Sequence, residues 1–308
     1  MASTEPHRVH TISELHQRMG LPRPEHPLIS LINLERLDWS RPERPASLVF
    51  DFYSIAMKRA SGLKFRYGQQ HYEFHEGIMY FMAPGQVFGR AVVEEQVKLK
   101  PMSGWVLYLH PDFLWNTPLA TTIRRYEYFD YSVHEALFLT EKEEAIVIGV
   151  LENIQQEYLA NQDNFSQDII ISHLEVLLNY ADRFYHRQFL TRKKENHQVL
   201  DRLEEVLTRY FKNDELLAHG LPSVKYVAGE LALSPNYLSS LLKTLTGRNT
   251  QQHILDKVIE KAKEKISTTE LSVSEISYIL GFEHPQSFSR LFKAKTGLSP
   301  LAFRQRFN

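Results

Sequence analysis

The sequence predicts an α+β protein. A strand-rich N-terminal half folds as a small barrel or sandwich and carries a helical hairpin, and an all-α half with two helix-turn-helix motifs follows. Three observations support this. Between Leu48 and Leu109, short runs of β-branched and aromatic residues are separated by Gly and Pro, the pattern of turn-linked strands. Between Thr140 and Phe189, apolar residues recur at helical spacing. Between Val227 and Gly297, one pattern occurs twice. With 308 residues, 43% of them hydrophobic, the chain is long enough for two cores. The expected division is 1–190 for the first domain, 191–199 for a linker and 200–308 for the second.

Taken in order, Thr11 and Glu14 form a capping pair for a short helix through Met19, and Pro22, Pro24 and Pro27 break it. Strands are expected over Ser47–Lys58, Leu63–Tyr67, Tyr72–Phe74, Ile78–Met82 and Trp105–Leu109. His71, Glu73 and His75 alternate on such a strand and would project from one face. Two imidazoles and a carboxylate suit a metal; they equally suit a polar strand surface. His110 to Leu119 reads as a loop or short helix. Thr140 with Glu143 then caps a helix to about Leu159, and a turn at Asn161–Asn164 leads to a longer helix from Ser166. Both helices carry wide apolar stripes. The polar run Thr191–His197 is the expected linker, and Leu200, Leu203, Val206, Leu207 and Tyr210 open the next helix.

The repeat is the most informative stretch. Leu238, Ser239, Leu241, Leu242, Lys243, Thr246 and Gly247 recur fifty residues on as Phe288, Ser289, Leu291, Phe292, Lys293, Thr296 and Gly297. Upstream the offset falls by one: Val227, Leu231, Ala232 and Leu233 match Ile276, Leu280, Gly281 and Phe282. The extra residue therefore lies in the turn, where insertion is cheapest. Ser234 with Pro235 and Ser272 with Glu275 give helix starts, and Gly247, Gly281 and Gly297 give stops. Between the copies, Thr250 to Ile266 reads as one helix with Ile254, Val258, Ala262 and Ile266 on one face. It is about 25 Å long at ~1.5 Å per residue, a length suited to holding two recognition helices near the ~34 Å separation of successive major grooves.

At these residues a family becomes recognisable. The segment from about His197 to Asn308 resembles the AraC/XylS-type transcription regulators: SFSRLFKAKTGLSP, Ser287 to Pro300, is similar to their C-terminal signature, and LSPNYLSSLLKTLTG to their first helix-turn-helix. The resemblance implies double-stranded DNA as partner, read by two recognition helices. Carried onto this chain, the DNA-binding residues are Ser234, Asn236, Tyr237, Ser239, Ser240, Lys243 and Arg248 in the first copy. In the second they are His284, Gln286, Ser287, Ser289, Arg290, Lys293 and Lys295. Asn236, Tyr237, His284, Gln286 and Arg290 are the expected base readers. Ser240 stands where the second copy has Arg290, so the first helix is less equipped for a bidentate guanine contact.

The strand region resembles the cupin-like sensor barrel that precedes this domain in many family members. The resemblance implies a small-molecule effector, with Tyr53, Tyr67, His71, Glu73 and His75 as candidate contacts, and a homodimer through the helical hairpin. RNA polymerase is a further expected partner. Metal-dependent cupins use His-x-His; here the spacing is His-x-x-x-His, so no metal, cofactor or enzymatic activity is expected. The alternatives are a DNA-binding protein whose barrel only dimerises, and a cupin-type metalloenzyme fused to a DNA-binding domain. Zero cysteines exclude disulfides, thiol catalysis and zinc fingers. No apolar run approaches eighteen residues and the N-terminus lacks an apolar signal region, so a cytoplasmic protein is expected. The formal net charge is -1, and from Glu195 onward it is only about +2. The DNA reading rests on the repeat, not on charge.

Overall fold

The structure is a computed structural model. It describes residues 6–36, 47–59, 64–67, 70–73, 77–89, 103–131, 135–160, 163–191, 193–212, 216 and 219–306. The chain divides into two compact units, Met1–Gln188 and Phe189–Asn308.

In the first unit, strand β1 (His7–Val9) pairs in parallel with β3 (Ser47–Phe50), which runs antiparallel to β8 (Val87–Gly89). A five-stranded antiparallel sheet has the order β10-β7-β4-β9-β2, from Leu137–Phe138, Ile78–Met82, Tyr53–Arg59, Ser103–Leu109 and Ile29–Asn33. A hairpin joins β5 (Lys64–Tyr67) to β6 (Gln70–Glu73), with Arg66 opposite His71 and Lys64 opposite Glu73. Among the described residues these three sheets stay separate, and none closes into a barrel.

The central strands are apolar without alternation because both faces are covered; all five residues of β7 are buried. Ala56, Tyr80, Val106 and Tyr108 join Phe50, Phe52, Val9, Ile12 and Leu15 in one cluster. Phe50 stacks on Phe52 at 5.1 Å, and Tyr108 meets both edge-on. On the other face Phe81 meets Tyr128, Phe129 and Tyr185 at 4.4, 5.5 and 6.4 Å.

The expected strand over Ser47–Lys58 is two strands. Asp51 interrupts it, accepting from the Arg8 guanidinium at 2.8 Å and lying 2.7 Å from His10 Nδ1. Strands β1, β2, β8 and β10 were not expected; all four have five residues or fewer, too short for periodicity to register.

Helix α1 (Ile12–Met19) is capped by Thr11, whose hydroxyl accepts from Glu14 N–H at 3.1 Å. The Glu14 carboxylate reaches one residue further back, to the His10 N–H at 2.9 Å. A four-residue helix α2 (Leu119–Thr122) follows the loop at His110. Helix α3 (Glu141–Leu159) starts with the expected Thr140–Glu143 capping box. Helix α4 (Ser166–Thr191) is fastened near its end: Gln188, fully buried, accepts from Phe138 N–H at 2.8 Å and donates to the Ala136 carbonyl at 3.2 Å.

In the second unit, α5 (Lys193–Lys212) takes up most of the run expected to be linker. Lys, Glu and Gln are strong helix formers, so a polar run of this composition continues a helix as readily as it makes a loop. Then come α6 (Val224–Glu230), α7 (Pro235–Thr246), α8 (Thr250–Thr268), α9 (Val273–Ile279), α10 (Pro285–Thr296) and α11 (Pro300–Arg304). Helix α8 serves two cores. Ile254 near its start packs with Val227, Leu231, Leu238 and Leu242, whereas Ile259, Ala262 and Ile266 pack with Ile276, Leu280, Phe288 and Phe292. These apolar sets are the repeat, realised as two equivalent clusters. Among the described residues no helix is long and apolar enough to cross a membrane.

Candidate nucleic-acid interface

Each copy is a short helix, a tight turn and a longer helix, and the turns are alike bond for bond. In the first, the Ala232 N–H donates to the Gly229 carbonyl at 3.0 Å and the Leu233 N–H to Ala228 at 3.0 Å. In the second, Gly281 donates to Tyr278 at 2.9 Å and Phe282 to Ser277 at 3.1 Å. The residue beyond the cap is left-handed in both: φ is +56° at Ala232 and +80° at Gly281. This is the cap that satisfies the last carbonyls of a helix. The second turn then spends two residues, Glu283 and His284, where the first spends only Ser234.

The longer helices end alike too. The Thr246 hydroxyl lies 2.8 Å from the Leu242 carbonyl and accepts from Arg248 N–H at 3.2 Å. Thr296 repeats this with Phe292 at 2.7 Å and Leu298 at 3.3 Å. Gly247 and Gly297 follow at φ +75° and +78°. At the start of α7, Ser234 Oγ accepts from Tyr237 N–H at 3.3 Å. His284 occupies the same place before α10 and makes no side-chain cap bond.

With Phe288 and Phe292 buried, α10 turns His284, Gln286, Ser287, Arg290, Lys293 and Lys295 outward as exposed residues, with Ser289 half-buried. Helix α7 exposes Lys243, and Arg248 just beyond it, while Ser234, Asn236, Ser239 and Ser240 are half-buried. Ser239 Oγ lies 3.0 Å from Thr250 Oγ1, a link to the first residue of α8.

Tyr237 corrects the sequence reading. It is 1% exposed, with its ring edge-on to Phe189 at 5.2 Å, so it packs the interior and has no face for a base. The signal was available: Tyr237 extends the apolar arc Leu238, Leu241, Leu242 at adjacent helical positions.

Lys257 of helix α8 stands where the linker helix of AraC/XylS-type regulators commonly has Arg, a departure visible in the sequence; the partners of the charges on α8 were not visible there. One carboxylate, Asp256, binds two of the expected phosphate contacts: Arg248 at 2.8 Å and Lys295 at 2.8 Å. Burial pushes the Asp256 carboxyl up, but the two cations outweigh it and hold it below the usual range. Lys257, buried, pairs with Glu204 and, at 3.2 Å, with Glu260. Partners 39 and 53 residues away in sequence leave no local signal.

Of the expected effector residues, four lie on described strands. Tyr53 begins β4, half-buried against Phe129 at 5.1 Å, and burial raises its phenol above the ordinary range. Tyr67 lies on β5, His71 and Glu73 on β6, and His75 lies outside the described residues. A cleft of about 430 Å³ that the sequence did not indicate is lined by His26, Phe113, Trp115, Asn116 and Gln167, among others.

The geometry of residues 223–297 defines a double helix-turn-helix domain. A family model described as a helix-turn-helix domain matches residues 227–306. The MmsAB operon regulatory protein of Pseudomonas aeruginosa is 35% identical over 88 residues, which are 29% of this chain and 29% of that protein. The arabinose operon regulatory protein of Salmonella typhimurium is 37% identical over 78 residues, 25% of this chain and 28% of that one. The C-terminal domain of the response regulator yesN from Fusobacterium nucleatum is similar over 35% of this chain and 98% of its own, at 27% identity and a TM-score of 0.31. The chain thus spans less than a third of the length of the two operon regulators. The C-terminal domain is of the AraC/XylS type, the type of regulator to which those relatives belong.

Proposed function

We propose that the chain is a sequence-specific, DNA-binding transcription regulator that responds to an effector through its N-terminal unit. The observation that carries this is the pair of repeated helices α7 and α10, each with an apolar face sealed in its own core and a polar face outside it. That face is exposed and cationic on α10; on α7 it is half-buried at Asn236, Ser239 and Ser240, with Lys243 exposed. Such a helix, propped by a partner across a tight turn, fits the major groove. Arg290, Gln286, His284 and Asn236 meet base edges. Lys243, Lys293, Lys295 and Arg248 meet phosphates, together with Ser234, Ser239, Ser240, Ser287 and Ser289 and the helix N-termini.

In this reading residues 1–190 are a cupin-like sensor domain, joined through 191–199 to the reader at 200–308. Effector binding, at the barrel or at the cleft near Trp115, shifts a homodimer formed through α3 and α4 in a cytoplasmic protein that also meets RNA polymerase. A coupling of this kind is typically about 1–3 kcal/mol. A second reading, that the barrel only dimerises, is favoured by the stacked Phe50, Phe52 and Tyr108 that occupy one face of the sheet. A thermal-shift screen separates the two, since an effector raises the melting point by mass action.

The experiment is selection of sites from a random DNA pool with the purified chain, across salt concentrations. The expected result is a motif of two blocks about ten base pairs apart. Retention of all sequences with no motif would refute sequence-specific reading.

A further inference from the structure

The two reading helices are separate in sequence but meet at one carboxylate. Asp256 lies on α8, between the copies. Its Oδ2 accepts from Arg248, two residues after the end of α7, and its Oδ1 from Lys295, in the last turn of α10, both at 2.8 Å. Each oxygen holds one cation, so neither ion pair displaces the other. The Asp256 carboxylate is 29% exposed, Lys295 34% and Arg248 61%, so the Lys295 pair is the more sheltered of the two and the Arg248 pair is close to a surface pair.

A second tie lies elsewhere in the same domain. The turn glycine Gly281 of the second copy abuts Gly220, ahead of the first copy: a Cβ there would lie 2.9 Å from the Gly220 carbonyl carbon. Val258 of α8 packs beside it with Tyr210, Phe211 and Phe282. The backbone contact restrains the turn end of the second copy. Asp256 adds an ionic link between the C-terminal ends of α7 and α10, beyond their packing on α8.

We propose that Asp256 is a positioning residue that fixes the spacing of α7 and α10, so that the protein selects the distance between the two DNA blocks as well as their sequences. This rests on the DNA-binding reading above.

The test uses the full chain and Asp256→Asn, which keeps shape and removes charge. The wild type is expected to prefer its selected spacing over one altered by two base pairs by about 100-fold, on the order of a mismatched contact or two. Asp256→Asn should reduce that preference to about 10-fold or less, with the affinity for a single block within about twofold of wild type, and Asp256→Glu should restore part of it. A uniform gain in affinity at every spacing, with a steeper salt dependence, would make Asp256 a mere shield and overturn the proposal, as would an unchanged spacing preference.

A second measurement does not depend on DNA. The chain has no cysteine, so spin labels at Lys243→Cys and Lys293→Cys, equivalent exposed positions on α7 and α10, report one distance. That distribution should broaden or shift in Asp256→Asn; an unchanged distribution overturns the proposal. If the wild type selects no DNA motif while the distribution broadens as expected, the DNA reading fails and the positioning role stands.

Discussion

The two helix-turn-helix copies share their turn and cap geometry, and four of the matched positions at which they differ separate their roles. Ala228, Ala232, Tyr237 and Ser240 in the first stand where the second has Ser277, Gly281, Ser287 and Arg290. The turn bonds, the terminal threonine bonds and the glycine stops are common to both. The comparison separates two kinds of constraint. What repeats is what closes a turn or fills a core: Val227 and Ile276, Leu231 and Leu280, Leu238 and Phe288, Leu242 and Phe292 are each 3% exposed or less. What diverges is the outward surface and, at two places, the quality of the fit. Each copy carries one flaw that the other lacks.

The comparison breaks most visibly at the turn. Gly281→Ala places a methyl 2.9 Å from the Gly220 carbonyl carbon and forces a side chain into φ +80°. The left-handed region alone costs an L-residue about 1–2 kcal/mol, and the clash is with backbone that cannot rotate away, so a loss of about 2–4 kcal/mol is expected. Urea unfolding should show a lower midpoint at unchanged slope. The equivalent residue in the first copy is already alanine, so a small loss in Gly281→Ala would mean that the two turns are interchangeable.

The outward faces come next. Arg290→Ala should weaken binding to the selected site by about 1–3 kcal/mol and relax base choice at one position. Ser240→Ala, at the same place on α7, should change it by about 0.5 kcal/mol or less, since a half-buried hydroxyl makes at most one weak base contact. Equal weakening on all sequences by Arg290→Ala, read by competition with random DNA, would turn Arg290 into a phosphate contact.

Local signals made much of this domain legible in advance. Capping boxes at Ser272 and Thr140, Pro at the starts of α7 and α10, and glycines at their ends act within a few residues, and sequence displays them. The reading failed where a residue's role is set by a distant neighbour. Tyr237 is buried because Phe189 covers it, and Asp256 matters because Lys295 reaches it from 39 residues away. In the first unit β1 and β8 exist because β3 lies between them. With three residues each, they carry no periodicity of their own.

A smaller effect tests the flaw of the second copy. Ser277 is fully buried, and its hydroxyl finds no hydrogen-bond partner among the described residues. The first copy places Ala228 there, also fully buried. Ser277→Ala should therefore stabilise by about 1 kcal/mol, the cost of an unmet buried hydroxyl. A loss of stability would reveal a partner for the hydroxyl.

The smallest expected effect tests the flaw of the first copy. Ala232 holds φ +56° in the position where the second copy has glycine. It is exposed, so replacing it removes no core contact. Two opposing terms decide the sign of Ala232→Gly. Relief of the left-handed strain returns about 1–2 kcal/mol, while the greater freedom of glycine in the unfolded chain takes back about 0.5–1 kcal/mol. The net is a gain of about 0.5 kcal/mol, opposite in sign to Gly281→Ala at the matched position. If Ala232→Gly were instead destabilising, the methyl group would be contributing something the turn geometry does not account for, and the equivalence of the two turns would hold for their hydrogen bonds but not for their energetics.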